Sequence, residues 1–331
     1  MTMNWQGRRV LVTGAGGFIG THLVDTLVER GAQVTALVRY NSRNDWGMLE
    51  ERYRNGAEGI RVILGDVTDS GCIRKAVEGN EVVFHLAALI GIPYSYEAPE
   101  SYVRTNLLGT LNVLSASLSA GVERVVHTST SEVYGTALYT PIDEAHPLQG
   151  QSPYSASKIA ADKMAEAYSC SFDLPVVTLR PFNTYGPRQS ARAIIPTIIT
   201  QALTSDVIQL GSLDPVRDFT YVSDTARAFV LAAERDGAVG KTIHTGSGIG
   251  ISVGELAQRI LARVNPGARI ISGGERVRPE KSEVMRLVCD GRRAWEELGW
   301  RPGVSLDEGL SRTIGWVTEH LDLYKAGRYT I

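Results

Sequence analysis

The run Arg9-Val10-Leu11-Val12-Thr13-Gly14-Ala15-Gly16-Gly17-Phe18-Ile19-Gly20 constrains this chain more than any other stretch. A short β-branched segment runs straight into Gly14, Gly17 and Gly20, at G-x-x-G-x-x-G spacing. Apolar residues then recur at helical intervals through Leu23, Leu27 and Val28. Strand, tight turn and helix start are written in one line. One glycine lets the backbone turn, a second lets it approach a pyrophosphate, and the last lets the helix pack close to a sheet. The helix N-terminus then offers free N–H groups and the positive end of its dipole. Glycine turns after strands are common, but this context marks Gly14, Gly17, Phe18, Ile19 and Gly20 as a candidate dinucleotide cradle.

The same alternation continues. Strands are expected at Gln33–Val38, Arg61–Leu64, Glu81–Leu86, Arg124–Thr128 and Val176–Leu179, with helices at Gly20–Arg30, Tyr102–Ala120 and Tyr154–Ser171. Strands and helices in this rhythm predict an α/β fold with a parallel sheet covered on both faces. Beyond Pro181 the rhythm loosens. We therefore place a cofactor domain at residues 1–180 and a smaller α/β substrate domain at 181–331, with Lys241–Thr245 a segment that can return to the first.

Composition narrows the function classes. Of 331 residues, 34 are Lys or Arg and 36 are Asp or Glu, giving a net charge of −2. That balance argues against a nucleic-acid or membrane-surface protein driven by bulk charge. Three dispersed cysteines indicate neither a disulfide framework nor a metal cluster. No transmembrane-length apolar window and no signal peptide is apparent, so a reduced cytoplasmic setting is expected.

The end of the second strand bears on which dinucleotide is bound. An acid there binds ribose hydroxyls, whereas an arginine accommodates a 2′-phosphate. The chain has Leu37-Val38-Arg39-Tyr40 and no acid until Asp45, so Arg39 favours NADP, with NAD the alternative. Asp66 has the chemistry to accept from an adenine amino group, or to cap a helix. Small or apolar residues at the next strand ends, Val67, Leu86, Ala87 and Ala88, let a cofactor lie across the sheet edge.

Two further constellations carry chemistry. Tyr154 and Lys158, in Tyr154-Ser155-Ala156-Ser157-Lys158, are four apart and share a helix face. An ammonium beside a phenol favours phenolate, which makes Tyr154 a candidate base for a hydroxyl undergoing oxidation. The stretch His127-Thr128-Ser129-Thr130-Ser131-Glu132-Val133-Tyr134-Gly135 leaves a strand through hydroxyls and a carboxylate.

Together these residues resemble the extended short-chain dehydrogenase/reductase family that acts on nucleotide sugars, over essentially the whole chain. Later motifs fit it as well: Arg180-Pro181-Phe182-Asn183-Thr184-Tyr185-Gly186-Pro187-Arg188, Arg217-Asp218-Phe219-Thr220-Tyr221-Val222-Ser223-Asp224 and Arg278-Pro279-Glu280. The resemblance implies a Rossmann-type doubly wound sheet, a C-terminal nucleotide-sugar domain, and a homodimer through the two long helices. It places Asn183 and Arg217 at the diphosphate and Arg278 and Glu280 near the nucleoside. Arg188 and Arg192 are left open between phosphate and solvent, and Arg217 between a diphosphate and a salt bridge to Asp218 or Asp224.

Thr130-Ser131-Glu132 resembles the Thr-(Asp/Ser)-Glu triplet of nucleotide-sugar 4,6-dehydratases. By that match Thr130 bonds the reacting 4-hydroxyl, Glu132 takes the C5 proton, and Ser131 stands where some members carry an acid. The alternatives are a UDP-glucuronate decarboxylase or a 4-epimerase using the same Tyr154/Lys158 oxidation. Residues 87–96, 185–192 and 323–326 further resemble dehydratases of legionaminic-acid-type pathways. That implies a GDP-linked, or else UDP-linked, N-acetylhexosamine.

Overall fold

The computed structural model describes residues 3–53, 55–56, 59–273 and 282–324. Strands β1 (Arg9–Thr13), β2 (Gln33–Arg39), β3 (Ile60–Gly65), β4 (Val82–His85), β5 (Arg124–Thr128) and β6 (Val176–Pro181) all lie in one sheet. The strands that follow are β7 (Asn183–Tyr185), β8 (Val207–Leu210), β9 (Val216–Tyr221), β10 (Thr242–Thr245), β11 (Gly250–Ser252), β12 (Arg269–Ser272) and β13 (Arg286–Leu287).

The main sheet has seven parallel strands in the order β10-β6-β5-β4-β1-β2-β3. Central strands are largely buried because both faces are covered; β4 is buried at every position, the polar His85 included. From β1 the chain winds outward through β2 and β3, then returns to β4 and winds the other way. The reversal opens a crevice at the carboxyl ends of β1 and β4, the usual ligand position in such sheets. Thr13 and His85 face each other in register at that edge, so the glycine turn begins at the crevice.

Helix Pro153–Phe172 starts with a capping box between Ser152 and Ser155, has Pro153 at its first position, and ends at Asp173 with φ 54°. The expected single helix over Tyr102–Ala120 is broken into three pieces. Pro99–Tyr102 is α-helical, Val103–Leu108 is π-helical, and Gly109–Ala120 is α-helical again. The wide turn sends Asn106 inward, where its amide bonds Leu89 and Ser157, and such turns gather at functional sites. Helix Ser70–Val77 was not expected; Asp69 caps it by accepting from Cys72 N.

β10 does rejoin the first sheet, beside β6, and helix Val222–Glu234 packs Ala228, Phe229 and Ala232 into the same core. The sheet therefore does not respect a cut at residue 180. In the later half, β7, β11 and β13 all pair with β9, while β8 pairs with β12. Arg188 joins the two halves: at φ 67° it is ion-paired to Asp25 (2.7 Å) and Glu51 (2.8 Å). Its guanidinium is thus held by two carboxylates and is not a freely solvated cation. His22 supports the same seam through Pro187 O at 3.1 Å.

A Cβ added at Gly20 would sit 2.2 Å from Gly14 O and 3.0 Å from Ala15 Cα, both backbone atoms that cannot step aside. Gly20→Ala should therefore cost about 1–3 kcal/mol of stability through overpacking, read as a lowered denaturation midpoint at unchanged slope. An unchanged midpoint would show that the turn has slack.

Candidate active site

The glycine turn is fixed by contacts a side chain would prevent. Gly14 has φ 71°, and a Cβ there would lie 2.8 Å from Ala87 N. Its N–H donates to Leu37 O at 3.1 Å, which ties the turn to β2. Gly16, outside the expected triplet, is constrained as well, because a Cβ would meet Trp46 O at 2.5 Å. Helix Phe18–Glu29 starts at Gly17 with no side-chain cap and no acid in its first turn. Bare backbone and an uncapped positive helix end suit an anionic group, so these residues fit the pyrophosphate of a dinucleotide.

Around the crevice, Thr13 Oγ1 accepts from Leu86 N and Ala87 N, each at 3.2 Å. It therefore donates to His85 Nδ1 at 2.8 Å. His85 Nε2 meets Thr110 Oγ1, whose own hydrogen goes to Asn106 O. This chain holds His85 as the neutral Nε2–H tautomer, and burial keeps its pKa well below the usual range. Leu86, Ala87 and Ala88 are half-buried on this edge, and Val67 is buried against Gly109. Asp66 Oδ1 accepts from Thr68 N and Oγ1, so it shapes its own turn while the helix cap falls to Asp69. Arg39 is exposed, opposite Gly65 in register.

The fold brings Thr130, Ser131, Glu132, Tyr154 and Lys158 together. Thr130 ends β5's extension and accepts from Glu132 N at 3.2 Å, starting a 3₁₀ turn over Ser131–Tyr134. Tyr154 shares a side-chain hydrogen bond with Thr130, and its ring meets Tyr102 edge-on at 6.2 Å. Ser131 is buried and Glu132 half-buried.

Lys158 Nζ donates to Thr128 O at 2.6 Å. Burial raises the Tyr154 phenol, and the neighbouring Thr130 hydroxyl counters this. Burial also draws Lys158 down to about 8, opposed by the charge of Asp162.

Asp162, one turn beyond Lys158, is a residue the sequence reading missed. Its Oδ2 accepts from Ser129 Oγ at 2.5 Å and from Arg180 Nη2 at 2.8 Å, and Oδ1 meets His127 Nε2 at 3.1 Å. Burial alone would raise this carboxyl, yet the His127 hydrogen bond and the Arg180 charge hold it well below the usual carboxylate range. The i, i+4 step from Tyr154 to Lys158 to Asp162 was a signal open to the sequence. Asn106, Ser157 and Thr13 left no such signal, because their partners are remote in the chain.

The expected substrate residues are less closely assembled. Asn183 lies at the start of β7, its Oδ1 buried with no hydrogen-bond partner, as an acceptor awaiting a donor would be. Arg217 is buried on β9 and lies 3.6 Å from Glu283. Asp218 serves Ser247, Gly248 and Cys289, and Asp224 serves Arg227, Gly303 and Val304. Arg192 is exposed, and its charge reaches Tyr102 beside Tyr154. Arg278 and Glu280 lie outside the described residues.

A parallel sheet with its glycine turn at the reversal point, facing a Tyr-Lys helix, defines an extended short-chain dehydrogenase/reductase of the nucleotide-sugar dehydratase and epimerase group. The chain belongs to the GDP-mannose 4,6-dehydratase family, whose sequence model matches residues 11–313. It is 34% identical over 314 residues to a dTDP-glucose 4,6-dehydratase of Actinoplanes sp., covering 93% of this chain and 97% of that one. Its identity to a UDP-glucose 4-epimerase of Mycolicibacterium smegmatis is also 34%, over 315 residues, covering 92% and 97% of the two chains. Among solved structures, a double mutant of the dTDP-glucose 4,6-dehydratase DesIV from Streptomyces venezuelae, with NAD bound, superposes with a TM-score of 0.87. The identity there is 30%, and the match covers 96% of this chain and 99% of that one. Among the described residues no helix is long and apolar enough to cross a membrane.

The depressed Lys158 gives a test. Its proton is held less tightly in the folded chain (about 8) than the usual 10.5. The resulting penalty, on the order of 3 kcal/mol, is fully present below pH 8 and is relieved as pH rises toward 10.5. Lys158→Met should raise Tm at neutral pH, with the gap to wild type narrowing above pH 8. A gap independent of pH would remove the buried-cation reading.

Proposed function

We propose that the chain is an NDP-hexose 4,6-dehydratase, acting on an N-acetylhexosamine nucleotide. The single observation that carries this is the arrangement around Thr130. Its hydroxyl is shared with Tyr154, and the amide of Glu132 is bonded back to that same oxygen. The phenol that would take the 4-hydroxyl proton and the residue that carries a carboxylate for C5 thus meet at one threonine.

A bound nicotinamide dinucleotide would take the C4 hydride and return it to C6. Gly14, Gly17, Phe18, Ile19 and Gly20 would hold its pyrophosphate, with Asp66, Val67, Leu86, Ala87 and Ala88 along the rest. Tyr154 takes the 4-hydroxyl proton, helped by Thr130 and by the Lys158 charge. The resulting 4-ketone acidifies C5, Glu132 removes that proton, and the C6–O bond breaks. The leaving hydroxyl departs as water with a proton from Glu132, directly or through Ser131. With the hydride on C6 and a solvent proton on C5, the product is a 4-keto-6-deoxy sugar. Within a substrate domain at 181–331, Asn183 and Arg217 are proposed to approach the diphosphate, with Arg192 a further phosphate candidate, and Arg278 and Glu280 to lie near the nucleoside.

The decisive measurement is mass change on incubation with GDP- and UDP-hexoses and their N-acetylamino forms. Loss of water without added cofactor is expected. Loss of carbon dioxide from a uronate, or a mass-neutral isomer, would instead identify the decarboxylase or epimerase. Glu132→Gln should still reduce its cofactor on substrate addition while water loss slows by about 100-fold or more. Normal turnover in that variant would remove Glu132 as the C5 base.

The absence of an acid at the end of β2 and the exposure of Arg39 support NADP, although a relative's structure holds NAD. Arg39→Asp should shift relative affinity from NADP toward NAD by roughly tenfold or more. Equal affinities before and after would show that Arg39 does not read the 2′-phosphate. A homodimer through the two long helices is supported by exposed Leu118 and Phe172 on them.

A further inference from the structure

Ser129 and Tyr134 flank Thr130-Ser131-Glu132, and both are held by one buried ion pair. Asp162 accepts from Ser129 Oγ at 2.5 Å on one side. Arg180, paired with that carboxylate at 2.8 Å, donates through Nη1 to Tyr134 OH on the other. The guanidinium also lies over the Tyr134 ring, 5.1 Å from its centre. Tyr134 OH passes its own hydrogen to His244 Nε2 at 2.5 Å, and His244 Nδ1 meets Ile142 O at 3.2 Å. Burial draws His244 down to about 3, so it is a neutral acceptor. Asp162, Arg180, Tyr134 and His244 are each less than 5% exposed.

We propose that Asp162, Arg180 and Tyr134 form a clamp that positions Glu132 for the elimination step, separately from hydride transfer. This rests on the dehydratase reading above. Asp162 stands on the helix that carries Tyr154 and Lys158, so the clamp ties the far end of the Ser131–Tyr134 turn to the oxidising pair. The near end needs no such help, because Thr130 is already bonded to Tyr154. Loosening the Tyr134 end should therefore move Glu132 and leave the Thr130–Tyr154 contact in place. All three clamp residues are buried, so their proposed action runs through the turn.

The test is single-turnover kinetics on Tyr134→Phe, which keeps the ring and loses only the hydroxyl. Reduction of the bound cofactor should stay within about threefold of wild type, while water loss, followed by mass, slows roughly tenfold or more. Reduced cofactor should then accumulate visibly. Exchange of solvent deuterium into C5 should slow in parallel, a readout that a general loss of stability would not single out. Arg180→Lys, which keeps the charge beside Asp162 but lacks the forked reach to Tyr134, should give the same split. Equal slowing of both phases in whichever variant folds, or slowing of neither, overturns the clamp. Wild-type protein that reduces its cofactor yet releases no water overturns the dehydratase reading, and the clamp's stated role with it.

Discussion

Two cations and one anion are buried side by side beneath the candidate active site. Lys158, Arg180 and Asp162 are each 4% exposed, and the histidines around them, His85, His127 and His244, are kept neutral by burial. Burying charges is expensive unless geometry and hydrogen bonds compensate. Asp162 and Arg180 are compensated, with donors on both carboxylate oxygens and a bidentate approach from the guanidinium. Lys158 is compensated less, by one backbone carbonyl and the charge of Asp162. The interior therefore carries a net positive charge next to Tyr154. That is an unfavourable arrangement for stability and a favourable one for a site where negative charge develops on a phenol oxygen and a sugar oxygen.

The fold exists to hold that arrangement at one edge. β5 delivers Thr128 O to Lys158, Ser129 to Asp162 and Thr130 to Tyr154 in three successive residues. Successive strand residues normally point to opposite faces, so three neighbours can serve one helix only where the strand is ending. The 3₁₀ turn that follows Thr130 supplies that ending. On the other side of the crevice, Asn106 reaches both Leu89 and Ser157 from its π turn and so fixes the loop beyond β4 against the Tyr154 helix.

Much of this was legible in the sequence where the physics is local. The glycine spacing, the β-branched runs and the four-residue step from Tyr154 to Lys158 follow from backbone sterics and helix geometry alone. The boundaries of β5 were legible because Val125 and Val126 run into a hydroxyl-rich exit at Thr128, Ser129 and Thr130. The π turn was invisible, since Val103–Leu108 has ordinary helical composition and the break is imposed by what Asn106 bonds elsewhere. Arg188 was ambiguous for a similar reason: its carboxylate partners lie 163 and 137 residues away.

Relatives at the same identity carry dehydratase and epimerase names, so the fold itself does not select the reaction. What selects it must lie in side chains that can change without moving the frame. The segment between Ser129 and Tyr134 meets that condition. Its ends are anchored by groups that take no part in sugar chemistry, and its middle, Thr130 to Glu132, is held mainly through backbone and threonine contacts. On the proposed dehydratase reading, a substitution at position 131 or 132 would alter the acid–base groups offered to C5 and C6 while leaving Tyr154, Lys158 and the ion pair in place. A scaffold built this way can keep one oxidation and exchange the step that follows it.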